Sequence, residues 1–229
     1  MKGVFSAMIL WAGASLASGG TLVPIGAERT FVPQGFDDND QIQVTIEGKL
    51  DSDCYRLETP NVQIDNKNHR VIIQPMASYY QWMCLEVQVP WTQVVDVGRL
   101  EAGEWVVKVG SHGETGSLRV ESSSTISPDD HVYAPVDSLS IDFSDGKAIA
   151  KLRGHFSSPC AEIEEIKMID SGKTIEVLPI LKAGTARNCE LADTPFERSL
   201  ELPRKASGRY LVHVRSLNGQ ALNQVYEIN

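Results

Sequence analysis

The stretch from Pro90 to Gly110, PWTQVVDVGRLEAGEWVVKVG, decides the fold, because a second copy follows from Pro195 to Arg215 as PFERSLELPRKASGRYLVHVR. Laid over each other without a gap, the two stretches place Trp105 on Tyr210. Six further pairs match: Trp91 and Phe196, Asp96 and Glu201, Arg99 and Arg204, Gly103 and Gly208, Val107 and Val212, Val109 and Val214. The chain is therefore a duplicated module, and residues common to both copies are expected to serve the scaffold.

Alternation of apolar and polar residues predicts strands throughout the chain. Gln41 to Glu47 alternates strictly and is predicted to form a strand that ends at Gly48, and Met83 to Val89 reads as another strand. Within the repeated stretch, a turn at Glu101 to Gly103 leads to Trp105, whose polar atom should find a hydrogen-bond partner if the ring is buried. No long stretch has the period of 3.6 that marks a helix, so we expect an all-β protein.

The chain divides into four parts. Residues 1–17, with Lys2 before an apolar run, are typical of a secretory signal peptide. Residues 18–121 and 132–229 are predicted to form two domains of similar size, and the serine-rich residues 122–131 form the linker between them. No stretch reaches the roughly 20 apolar residues that a membrane span needs. These features predict a protein exported to the periplasm or the extracellular space.

The four cysteines are predicted to form one disulfide in each domain. Four cysteines allow three pairings. The duplication selects one of them, because Cys54 and Cys84 occupy the same places in the first copy as Cys160 and Cys189 in the second. With all four thiols in disulfides, no cysteine nucleophile remains.

Two motifs occur in both copies. Gly48, Ser52 and Cys54 form a G-x3-S-x-C pattern that recurs at Gly154, Ser158 and Cys160, and a G-x-[WY]-x-V-x-V pattern follows the second cysteine region each time. This succession resembles the immunoglobulin-like sandwich modules common in exported bacterial proteins. The resemblance implies two tandem immunoglobulin-like β-sandwich domains, and it implies no activity.

The formal net charge of −9 argues against some partners. Residues 18–131 hold 8 Lys and Arg against 17 Asp and Glu, whereas residues 132–229 hold 12 against 13. Because nucleic acids and anionic lipids bind basic surfaces, neither is expected to bind this chain.

Catalytic signatures are absent from the sequence. There is no G-x-S-x-G nucleophile elbow. The five histidines lack the close spacing of metal ligands, and His213 takes the place of Lys108 on an outward strand face, so we expect it at the surface. No cofactor is predicted. A non-enzymatic protein is the favoured reading, and a hydrolase with a site assembled from distant residues remains the alternative.

Positions that only one copy possesses are candidates for function. Tyr79, Tyr80 and Trp82 precede Cys84, where the second copy has Gly184, Thr185 and Arg187 before Cys189. Exposed Tyr and Trp side chains can stack on sugars or anchor a protein partner. The alternative is that these rings pack against the linker or the other domain.

A cluster of acidic residues is also confined to the first copy. Calcium binds six to eight oxygen ligands, and loops at one end of a sandwich could supply them. The candidate ligands are Asp37, Asp38, Asp40, Asp51 and Asp53. A solvated acidic loop is the competing interpretation.

The sequence thus predicts an exported, non-enzymatic binding or interaction protein whose ligand is a carbohydrate or a protein. A periplasmic assembly chaperone is an alternative, since pilus chaperones also combine a signal peptide with two immunoglobulin-like domains in a chain of about this length.

Overall fold

The structure is a computed structural model that describes residues 20–81, 83–110, 115–127, 129–182 and 189–229. The predicted signal peptide, residues 1–17, lies outside the described residues, as does Trp82.

The first domain is a sandwich of two sheets. Its strands are β1 (Thr21–Pro24), β2 (Arg29–Phe31), β3 (Phe36–Asp37), β4 (Ile42–Leu50), β5 (Tyr55–Asp65), β6 (Arg70–Tyr79), β7 (Val89–Gly98), β8 (Gly103–Val109) and β9 (Thr115–Glu121). One sheet has the order β2-β4-β7, and the other runs β5-β6-β8-β9, with β3 beside β9. Strand β6 pairs with β5 along one side, and its other side pairs first with β8 and then with β1.

The second domain repeats this plan. Its strands are β10 (Val136–Ser144), β11 (Lys147–Phe156), β12 (Ile163–Asp170), β13 (Thr174–Leu181), β14 (Thr194–Glu201), β15 (Gly208–Ser216) and β16 (Gln220–Ile228). The sheets have the orders β10-β11-β14 and β12-β13-β15-β16. The remaining regular structure in the described part of the chain is two 3-10 turns, Asn66–Asn68 and Leu217–Gly219.

Each sandwich has a parallel strand pair at the same place, and the first has another between β3 and β9. Val71 of β6 pairs with Val107 of β8, and Ile175 of β13 pairs with Val212 of β15. The expectation of an all-β chain built from two related sandwiches is confirmed. The finer expectation, that the two sandwiches are immunoglobulin-like, stays a prediction.

The aromatic residue that follows the turn glycine has the same role in both copies. The Trp105 ring is 1% exposed in the first core, and its Nε1 donates a hydrogen bond of 2.8 Å to the carbonyl oxygen of Glu101. The Tyr210 hydroxyl donates to the carbonyl oxygen of Ala206 at 3.1 Å. In both cases the acceptor lies four residues upstream. The predicted partner for this ring is therefore present, and it is a backbone carbonyl of the preceding turn.

A glycine lies under an aromatic ring in each copy. Strand β4 continues to Leu50, so the prediction that it ends at Gly48 is wrong. Gly48 pairs with Trp91 of β7, and a Cβ there would be 2.6 Å from Trp91 Cζ2. Gly154 likewise lies under Phe196, at 2.8 Å. Glycine is needed inside these strands because the ring occupies the space of a side chain.

The disulfides are those that the duplication predicts. Cys54 is bonded to Cys84 and Cys160 to Cys189, across sequence separations of 30 and 29. Each bond joins the segment after β4 or β11 to the segment before β7 or β14. The bonds therefore tie together the same end of each sandwich.

Candidate functional site

The aromatic positions of the first copy differ in exposure. The Tyr79 ring is half-buried and packs against Tyr55, with ring centroids 4.9 Å apart. The Tyr80 side chain is 37% exposed, and its ring lies over Gly20. Of the three predicted binding residues, Tyr80 is thus at the surface, Tyr79 is largely structural, and Trp82 lies outside the described residues.

Apolar side chains follow Tyr80 at the surface. Met83 is 90% exposed, Leu85 is 65% exposed and Val87 is 48% exposed. We call Tyr80, Met83, Leu85 and Val87 the apolar segment. The predicted strand over Met83 to Val89 is wrong, because β7 begins only at Val89 and the residues before it have no strand partner.

Local bonds hold the apolar segment out of the core. The Asp53 carboxylate accepts a hydrogen bond of 2.9 Å from the Leu85 amide, and the Val87 amide donates to the Leu85 carbonyl at 2.9 Å. The disulfide at Cys84 fixes the chain beside Cys54. These bonds replace ladder pairing, so alternating apolar residues are left exposed.

The five aspartates do not form one calcium site. Asp37 and Asp38 lie before β4, whereas Asp51 and Asp53 follow it. The nine residues of β4 separate the two groups by about 27 Å at the usual rise of a strand. Asp40 is engaged elsewhere, since its Oδ2 lies 2.7 Å from Nη1 of Arg215 in the second domain. The prediction of a shared site is therefore corrected by the length of the strand.

Metal ligation is not supported by the cysteines either. Within the described ranges, the one group of three potential ligands brought together is Asp53, Cys54 and Cys84. Both sulfurs belong to the disulfide, so they have no thiolate to offer a metal.

A buried ionic cluster joins the two domains around Arg215. The Arg215 side chain is 7% exposed, and besides Asp40 it contacts Asp129 of the linker at 3.7 Å. Its guanidinium stacks on Phe36 at 4.7 Å and faces Tyr133 at 5.8 Å. We call Arg215, Asp40 and Asp129 the junction cluster. It connects the first domain, the linker and the second domain at a single cation.

The linker folds back on itself next to the junction cluster. Asp130 accepts hydrogen bonds from the hydroxyl of Ser124 at 2.6 Å and from the amides of Ser124 and Thr125 at 3.0 and 3.1 Å, and these bonds lower the pKa of its carboxyl to about 2. Asp129 is oriented toward the second domain. Burial raises the pKa of Asp129 to about 7, and the neighbouring Asp40 carboxyl adds to the rise. Two carboxyl groups thus share one guanidinium in a desolvated site.

His213 is buried, so its predicted surface position is wrong. The side chain is 1% exposed, its ring lies 5.7 Å from that of Phe36, and it is hydrogen-bonded to Asn223 at 2.8 Å. Asn223 in turn donates to Gln43 of the first domain at 2.8 Å. Burial lowers the pKa of His213 to about 4, which keeps the ring neutral.

Further contacts extend this interface along the second domain. Arg209 forms an ion pair with Glu47 at 2.6 Å, and Glu176 accepts the Gln34 amide at 2.8 Å. Sequence reasoning missed Arg209, Arg215 and Glu176. A signal was present, because on the repeat alignment Arg209 replaces Glu104 and Arg215 replaces Gly110.

The architecture is that of a protein with two β-sandwich domains, each containing one disulfide. Comparison with known proteins agrees with it. The sequence model of the family described as ORF11 beta-sandwich domain matches residues 44–120 and again residues 150–228. The chain belongs to that family. Searches of curated proteins and of solved structures gave no significant match. None of the helical turns in the described part of the chain has the length and apolar character to cross a membrane.

Proposed function

We propose that this chain is an exported, non-enzymatic interaction protein that binds another protein through the apolar segment of its first domain. The observation that carries the proposal is the exposure of Met83, Leu85 and Val87 beside Tyr80 on a backbone held by a disulfide. Contiguous apolar side chains at a surface mark interaction sites. A fixed backbone lowers the entropy that binding would otherwise cost.

The chemistry of the segment favours a protein over a carbohydrate. Sugars are bound by flat aromatic faces, and Tyr80 is the one such face among the described exposed residues of the segment. Met83, Leu85 and Val87 are aliphatic, and methionine in particular adapts to apolar protein surfaces. A protein partner would desolvate all four side chains together.

Export is supported by the two disulfides, which persist in oxidising compartments. The family membership is compatible with a binding role, since both copies contribute a β-sandwich scaffold. In this proposal the second domain orients the first, and the first carries the binding surface.

Site-specific photo-crosslinking in the cells that express the protein tests the proposal. A photoreactive residue at Met83 or Leu85 should form adducts with a defined partner protein. The matched control is Leu191, which is 88% exposed and follows the second-copy cysteine Cys189. Adducts of equal yield at Leu191, or no adducts at Met83 and Leu85, would contradict the proposal.

A further inference from the structure

We infer that the partner presents a cationic and apolar surface, such as an amphipathic segment with lysine or arginine beside leucine. This inference rests on the proposed function of the apolar segment. It adds a second observation, which is the charge that surrounds the segment.

Acidic residues border the apolar segment. Glu86 lies within it and is exposed, Asp53 lies across the disulfide from it, and the exposed Asp51 is two residues before Asp53. The Asp53 carboxylate is within 4.8 Å of both sulfurs. Arg56 is the nearby cation, and its guanidinium donates to the carbonyl oxygens of Asp53 and Tyr55. The border is therefore net negative.

Two of these carboxylates are available to a partner. Asp53 already accepts the Leu85 amide. Asp51 and Glu86, in contrast, take part in none of the ion pairs or side-chain hydrogen bonds found among the described residues. The first domain as a whole reinforces the potential, with 17 acidic against 8 basic residues over residues 18–131.

This charge excludes other occupants of the same surface. A second copy of the chain would place Asp51 and Glu86 against their own equivalents, and like charges at an interface are unfavourable. An anionic membrane surface would be repelled for the same reason. Lysine and arginine suit the surface because their aliphatic stems can lie on Leu85 or Val87 while their charged ends reach the carboxylates.

The probe is a fluorescent amphipathic peptide of leucine and lysine, compared with its leucine and glutamate counterpart, and binding to the full chain is followed by anisotropy. The lysine peptide should bind and the glutamate peptide should not. The double variant Asp51→Asn/Glu86→Gln should weaken binding about threefold to tenfold, as expected for two exposed charge pairs. Added salt should reduce the difference in affinity between the lysine and the glutamate peptide.

The matched control is Glu101→Gln/Glu104→Gln, which removes the same charge from two exposed positions just before Trp105. This control should leave binding unchanged. If it weakens binding as much as the Asp51 and Glu86 variant does, the peptide senses net charge alone and the inference is overturned. Equal binding of the glutamate peptide overturns it as well.

A third variant separates this inference from the proposed function. Met83→Ser/Leu85→Ser removes two exposed apolar side chains and should weaken binding of the lysine peptide by about tenfold, because apolar contact area is lost. If it weakens binding while the charge variant has no effect, the surface is right and the cationic partner is wrong. If it leaves both peptide binding and crosslinking at Val87 unchanged, the proposed function fails too.

Discussion

Strands β8 and β15 are the same strand in the two copies, yet their outward faces have opposite environments. In β8 the outward Val106 is 42% exposed and Lys108 is exposed. In β15 the equivalent Leu211 and His213 are 0% and 1% exposed. The inward valines of both strands are buried alike. The difference arises because the first domain covers the outward face of the sheet that contains β15. The outward face of the sheet that contains β8 has no such cover among the described residues.

This contrast shows how a duplicated fold acquires an interface. Three outward residues differ in charge or size between the copies: Glu104 corresponds to Arg209, Lys108 to His213 and Gly110 to Arg215. Each second-copy residue has a partner from the first domain: Glu47 for Arg209, Phe36 for His213 and Asp40 for Arg215. The inward positions stay aromatic or aliphatic in both copies, as with Trp105 and Tyr210, because each core needs apolar side chains there.

The largest expected effect comes from exchanging residues between the copies. His213→Lys would place a second cation beside Arg215 in a buried site, and we expect a loss of about 3–5 kcal/mol in the free energy of unfolding. The reciprocal Lys108→His is at an exposed position and should change it by less than about 0.5 kcal/mol. Urea unfolding of both variants measures the two values. Similar values would mean that the outward faces are equivalent after all.

A smaller effect should follow from filling the space under an aromatic ring. The Cβ of Gly154→Ala would meet the Pro135 carbonyl oxygen and the Phe196 ring, and we expect a loss of about 2–3 kcal/mol from overpacking. Gly26→Ala is the control, because no atom lies within 4 Å of its added Cβ. Thermal unfolding should separate the two variants by several degrees. An unchanged melting temperature for Gly154→Ala would show that the space under the Phe196 ring can accommodate a methyl group, which contradicts the prediction.

The smallest expected effect is the pH dependence of the junction cluster. The folded pKa of Asp129 is about 7, above the ordinary value of 3.8, so the native state binds its proton more tightly than the unfolded state does. Its contribution is therefore most favourable below about pH 4, declines as the pH rises to about 7 and is constant above that. Asp129→Asn should remove this decline and increase stability at pH 8 by about 1–2 kcal/mol.

The measurement is the difference between wild-type and Asp129→Asn unfolding free energies across this pH range. Asp40, Arg215 and Tyr133 interact with the carboxyl group, as does the backbone amide of Gly219, and all are unchanged in the variant. Burial and the neighbouring Asp40 raise the pKa of Asp37 to about 6. Asp37 therefore contributes to the pH dependence of the unfolding free energy with the same sign in both proteins. A difference that does not vary with pH would show that Asp129 titrates normally.

The repeat made the scaffold predictable from sequence, whereas the exposed and buried surfaces depended on the tertiary structure. Cys54 and Cys84 could be paired from their spacing because the second copy repeats it, and a hydrogen-bond partner for Trp105 was expected, although the structure was needed to identify it as the Glu101 carbonyl. Leu85 was assigned to a strand because the residues around it alternate. Alternation alone cannot show that the Leu85 amide is bonded to Asp53 and that the adjacent Cys84 is in a disulfide. Asp40 was assigned to calcium because its buried partner, Arg215, is distant in sequence.

By itself, the sequence determined two β-sandwiches with one disulfide each, because the alternation within strands and the duplication are local patterns repeated along the chain. The tertiary structure alone decided which copy of the outward face is buried and which apolar side chains remain exposed. Both outcomes depend on where the first domain docks and on where Asp53 and Cys84 hold the backbone. Such contacts join residues far apart in the chain, so the pattern around any one of them does not reveal them.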